Sequence, residues 1–171
     1  MLELWRAMRQ FEPLRADASV TRTDAFDTDT LLRADLDSWY GKALRTMPLN
    51  MLPLTDIASR LTVQMQPDGS GLVALPADCL RVASVAMEGW LADALVTDDP
   101  TSPRAIDQQS AYVRGGAVDP VAVVTPGAMR LYTPVSSSAL LLRVECVCHP
   151  GPDRFVLTQA MLPEIDLTPY S

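Results

Sequence analysis

The chain has 171 residues, of which 48% are hydrophobic and 20% charged, and its net charge is −7 at neutral pH. A chain of this length makes one domain with at most a small appendage, and it can bury a core without disulfides. The acidic balance excludes the basic footprint of a nucleic-acid binder and disfavours docking on an anionic membrane, and no apolar run reaches the roughly 18 residues of a membrane span.

Residues 2–11 place Leu4, Trp5, Met8 and Phe11 on one helical face, and Pro13 ends that helix. Glu3, Arg6 and Arg9 interrupt the apolar stretch that a signal peptide requires. Residues 14–26 are polar and read as a loop. Asp27 or Asp29 then caps a second helix, in which Leu32, Leu36, Trp39, Tyr40, Ala43, Leu44 and Met47 recur at helical spacing until Pro48 stops it. Asp24, Asp27 and Asp29 lack the sixth-position glycine and twelfth-position glutamate of a calcium loop.

From residue 60 the period changes from helical to alternating. Leu61, Val63 and Met65 alternate with Thr62, Gln64 and Gln66, and Pro67-Asp68-Gly69-Ser70-Gly71 is a turn into a second strand at 72–75, a hairpin. Two further apolar runs follow, Leu80–Val82 and Val85–Trp90. Residues 97–120, rich in Asp, Pro, Ser, Gln and Gly, form a long excursion of the kind that is usually functional or interface-forming. Strands at 121–124 and 129–133 flank Pro126-Gly127. The longest strand, 139–149, is expected to point Leu140, Leu142, Val144, Cys146 and Cys148 one way and Leu141, Arg143, Glu145, Val147 and His149 the other. The tail holds one weakly amphipathic piece, 155–162, and Pro163 and Pro169 rule out a long terminal helix.

These elements predict an α+β chain with N-terminal helices followed by an antiparallel, β-sandwich-like domain. The expected divisions are a helical segment 1–53, a β-domain 54–150 carrying the 97–120 loop, and a tail 151–171. Trp39, Trp90, Leu142, Val144 and Cys146 are the expected core anchors.

No catalytic, cofactor-binding or metal site emerges. The single histidine, His149, ends a strand, and no nucleophile elbow exists to partner it. Three cysteines, Cys79, Cys146 and Cys148, are odd in number and do not make a disulfide framework, which points to assembly in a reducing compartment. Cys146 and Cys148 fit core packing as small hydrophobes better than the spacing of a zinc knuckle. Gly69-Ser70-Gly71 and Gly115-Gly116 lack the lysine and the helix of a phosphate loop. The 97–120 loop lacks a regular apolar period, and ordering it is easiest to explain if part of it packs on another subunit. Ile106, Gln108, Gln109, Tyr112 and Arg114 are its candidate intersubunit contacts, Tyr and Arg being common interface anchors.

Taken in order, Trp39-Tyr40, the Asp-Gly turn, Leu75-Pro76-Ala77-Asp78-Cys79-Leu80-Arg81-Val82, Gly89-Trp90, Ser102-Pro103, Gln108-Gln109, Arg114-Gly115-Gly116, Pro120-Val121-Ala122 and Leu131-Tyr132 form a recognisable series. Over roughly residues 30–150 it resembles the head-to-tail adaptor (connector or neck-ring) proteins of tailed bacteriophages, especially those infecting Bacteroides-type gut hosts. The chain departs from that pattern at its end, where two prolines stand in place of channel-bracing helices. The resemblance implies a non-enzymatic virion protein at the neck, assembled in the host cytoplasm. It would form a homo-oligomeric ring of twelve copies between the portal and the tail or neck proteins, and DNA would pass without sequence recognition. The alternative is a stand-alone β-rich ligand-binding or assembly module.

Overall fold

A computed structural model describes residues 28–110, 112–132, 140–151 and 154–164. The helix expected at 2–11 and the loop at 14–26 lie outside the described residues. The chain divides into two compact units: Leu54–His149, and Met1–Pro53 together with Pro150–Ser171. The divisions fall after Pro53 and after His149, and the tail groups with the N-terminal segment.

In the smaller unit, helix α1 spans Thr28–Thr46. Leu36, Tyr40, Ala43 and Leu44 are its buried stripe, continued by Met47 just past its end, spaced as one face of a 3.6-residue period requires. Trp39, an expected core anchor, is only half-buried on the flank of that stripe. Tyr40 ties the tail to the helix. Its hydroxyl donates to the Val156 carbonyl and accepts from the Val156 N–H, both at 3.1 Å, and Phe155 meets its ring edge-on at 5.3 Å. Thr158 Oγ1 donates to the Met51 carbonyl, and Met161 is fully buried.

The larger unit holds the strands β1 (Thr55–Asp56), β2 (Val63–Met65), β3 (Gly71–Ala74), β4 (Cys79–Met87), β5 (Leu95–Thr97), β6 (Val121–Thr125), β7 (Ala128–Leu131) and β8 (Leu141–Cys148), with a short helix α2 (Pro103–Asp107). They form a three-stranded sheet ordered β1-β8-β4 and a five-stranded sheet ordered β2-β3-β7-β6-β5. One core draws on both: Ile57, Val82, Val85, Met87, Val144 and Cys146 from the side of the smaller sheet, and Val73, Ala122, Met129 and Leu131 from the larger. The chain is therefore α+β, with the sandwich-like packing expected. The β2–β3 hairpin forms where expected, and Gly69 takes the positive φ of its turn (77°), which glycine adopts without strain.

The pairing departs from the expected pattern in three ways. β5 joins β6 in parallel, Leu95 opposite Val121, so the larger sheet is mixed. A parallel pair needs a crossover of a dozen or more residues, and 98–120 supplies it. The runs 80–82 and 85–90 belong to one strand, β4, which ends at Met87; Trp90 follows a turn closed by its N–H on the Met87 carbonyl at 3.1 Å. Trp90 packs half-buried against the core, and its indole N–H is buried without a hydrogen-bond partner among the described residues.

The third departure concerns Leu142, an expected core anchor that is 62% exposed, while Val144 and Cys146 are fully buried. In the β4–β8 ladder Met87 pairs with Leu141 and Ala86 with Arg143, so Leu142 is an extra residue in β8. The bulge resets the alternation. Leu141 packs against the core as Val144 does, although they stand an odd number of residues apart. Leu140, on the other side of the bulge, is exposed with Leu142. Leu80 and Ala83 are the corresponding extra residues in β4.

Asp56 fixes the edge of the smaller sheet. Its Oδ1 accepts from the Val144 N–H and the Ala58 N–H, each at 3.0 Å, and these bonds hold its carboxyl below the ordinary value.

Two outcomes are expected. Met129→Ala should cost about 2–5 kcal/mol by cavity formation, whereas Leu142→Ala should stay within about 0.5 kcal/mol; urea denaturation measures both, and an equal cost would refute the bulge assignment. Because the folded pKa of Asp56 is depressed, its contribution is present above pH about 4 and is lost as pH falls below that value. Asp56→Asn should therefore flatten the fall in stability between about pH 4 and 2, read from denaturation midpoints across that range.

Candidate functional site

The crossover from β5 to β6 is the site to which sequence reasoning points. It opens with a local carboxylate turn, Asp99 Oδ1 accepting from the Thr101 N–H at 2.8 Å and from its hydroxyl at 2.6 Å. The hydrogen bonds hold the Asp99 carboxyl below its ordinary range. Ser102 then caps α2, its Oγ accepting from the Ala105 N–H at 3.3 Å, with Pro103 at the first helical position. That is the residue order a short helix needs at its start. Ala105 anchors the helix in a second small core with Val121, Val123 and Tyr132.

The segment after α2 is held by buried polar contacts. Gln108 is 2% exposed. Its Nε2 donates to the Arg104 carbonyl at 3.1 Å, and its Oε1 accepts from the Gly115 N–H at 2.9 Å. Arg114 reaches back as well, Nε to the Gln108 carbonyl at 2.9 Å and a terminal nitrogen to the Asp68 carbonyl at 3.0 Å. Its guanidinium lies 5.9 Å from the Tyr132 ring centroid, and that of Arg130 lies 5.7 Å from the same ring. A side chain at Gly115 would overlap the Asp119 carbonyl, so the loop closes only around a residue without a Cβ. Arg104 and Asp119 add an exposed ion pair at 3.0 Å, of the kind worth little alone.

The five expected contact residues therefore divide. Gln108 is corrected outright, since its side chain is consumed within the loop and has no surface to offer. Arg114 spends its hydrogen bonds on its own domain. Ile106 is 52% exposed, Tyr112 is 99% exposed, and Gln109 is also exposed. Sequence reasoning missed three apolar neighbours, Leu91, Val113 and Val118, which are 79%, 59% and 71% exposed. Leu91 joins the loop through its N–H, which donates to the Ala117 carbonyl at 2.8 Å. The available signal was valine and leucine outside any strand period.

A cleft of about 390 Å3 opens elsewhere in the unit, between the bulged start of β4 at Cys79–Val82 and the Pro126-Gly127 turn. Among the described residues no group of three or more His, Cys, Asp or Glu side chains is arranged to hold a metal ion, and no helix is long and apolar enough to cross a membrane. No protein family, curated protein or solved structure matches the chain.

Gly115→Ala is expected to open residues 108–119, raising their amide hydrogen exchange, while Gly116→Ala, with nothing within 4 Å of its added carbon, leaves exchange unchanged. Equal protection in the two variants would refute the close approach at Gly115.

Proposed function

We propose that this chain is a structural, non-enzymatic subunit of a phage neck. It forms a homo-oligomeric adaptor ring between the portal and the tail, with a central channel for DNA. One observation carries the reading: a loop fixed by its own buried polar contacts turns Ile106, Tyr112, Val113 and Val118 outward. A contiguous exposed apolar patch marks an interaction surface, and a tyrosine on a preformed backbone loses little entropy when it is covered. Ile106, Gln109 and Tyr112 are the proposed contacts with the adjacent copy. The net charge of −7 agrees with a channel that lets DNA pass without gripping it.

The cleft beside β4 favours a second reading, a stand-alone ligand-binding module, because its volume falls in the range of small-molecule sites. Light scattering and negative-stain imaging separate the two. The adaptor reading expects rings with a central hole, lost in Tyr112→Ala/Val118→Ser while the thermal unfolding midpoint is retained. A wild-type protein that stays monomeric at high concentration, or rings that survive the double substitution, would overturn it.

A further inference from the structure

Cys146 and Cys148, which sequence reasoning assigns to the core, meet Cys79 at one end of the β4–β8 ladder. Cys79 and Cys148 are direct cross-strand partners. The His149 N–H donates to the Asp78 carbonyl at 2.8 Å just outside them, which makes Cys79 and Cys148 a pair of the non-hydrogen-bonded kind. The Cα atoms of such pairs stand about 4.5 Å apart, inside the range a disulfide spans. Cys146 lies two residues before Cys148 on the same face, with its Sγ 3.1 Å from that of Cys148. The bulge at Leu80 puts Cys79 on the core side with Val82, so all three thiols face inward together.

They differ in access and in acidity. Cys146 is fully buried, whereas Cys79 and Cys148 are partly exposed, and the 390 Å3 cleft is lined by Cys79. A hydrogen bond from Cys146 holds the Cys79 thiol below the usual range. That same bond, with burial, pushes Cys146 up, and burial pushes Cys148 up. Of the two partly exposed sulfurs, Cys79 is the one that lines the cleft and the one whose thiolate is favoured.

We propose that these residues form a peroxide-reactive thiol site in which Cys79 is oxidised and Cys148 resolves it into a cross-strand disulfide. The Cys79 thiolate attacks hydrogen peroxide; an S–O bond forms, the O–O bond breaks, and the departing hydroxide leaves as water after taking a proton. The Cys148 sulfur then attacks the Cys79 sulfenic acid. The S–S bond forms as the S–O bond breaks, and the thiol proton leaves with the hydroxide as a second water. Two thiols give up two electrons and one peroxide accepts them. Cys146 stays a thiol and stabilises the attacking thiolate. This site stands independently of the ring reading.

The test treats fully reduced protein with one equivalent of hydrogen peroxide, counts thiols after unfolding, and maps peptides without reduction. The expected result is a fall from three thiols to one, with a Cys79–Cys148 linked peptide in the monomeric band and a raised melting temperature that thiol reductant reverses. Cys148→Ser should instead accumulate a Cys79 sulfenic acid that dimedone traps. Three surviving thiols, a Cys146–Cys148 link, or a link between chains would each overturn the assignment. The wild-type measurement is decisive even if the variant fails to fold.

Discussion

The pairing of β4 with β8 is the constraint on which the β-unit depends. It is the long ladder of the smaller sheet, and its register is broken three times, at Leu80, Ala83 and Leu142. Each extra residue changes which face the following side chains occupy and adds local twist. A strictly alternating ladder would leave Leu141 and Val144 on opposite faces, and likewise Cys79 and Val82. The core needs all four on one side, and the offsets at Leu80 and Leu142 put them there. Asp56 binds the same ladder from its other edge by taking the Val144 N–H, so β1, although only two residues long, is held in register by a carboxylate as well as by its backbone.

The β5–β6 crossover solves a different problem. A long segment carries backbone N–H and C=O groups that must find partners wherever they leave water. Gln108 answers for two of them at once, and Arg114 for two more, one of which lies in the β2–β3 turn. Polar side chains thereby serve as internal framework, and several apolar ones are left outside. This inverts the usual division of labour in a surface loop, and it is why that loop carries the functional proposal.

How much of this was legible in the sequence depends on the range of the forces involved. Helix α1 was legible because its signal repeats every turn from Leu36 to Met47 and ends at proline. The hairpin at Gly69 and the turn at Gly127 were legible because a positive φ leaves a residue-type mark, and both glycines adopt one near 77°. Bulges leave no such mark. Leu142 sits in a run of leucines whose alternation is correct on paper, and only the partner strand determines which of them is extra. The parallel setting of β5 was equally hidden, since three residues, Leu95–Thr97, carry no direction of pairing. Gln108 and Gln109 are neighbours of one type; one is internal and one external because of where the Gly115 N–H arrives. The three thiols meet across 69 positions of sequence, from Cys79 to Cys148, through the same ladder whose offsets composition could not disclose.

The parallel edge strand also carries a chain-entropy cost that the hairpins do not. β2, β3, β6 and β7 join through hairpin turns and one sheet contact, β3 with β7. Among the described residues β5 pairs in that sheet with β6 alone, and the crossover from 98 to 120 must close before the two can align. Closing a loop costs entropy before the pairing returns any of it. β5 is thus the strand of that sheet whose pairing carries the largest closure cost, and without it the β6 edge would stand open to another extended chain. The crossover that carries the exposed apolar side chains is thereby also the segment that lets β5 cover the β6 edge.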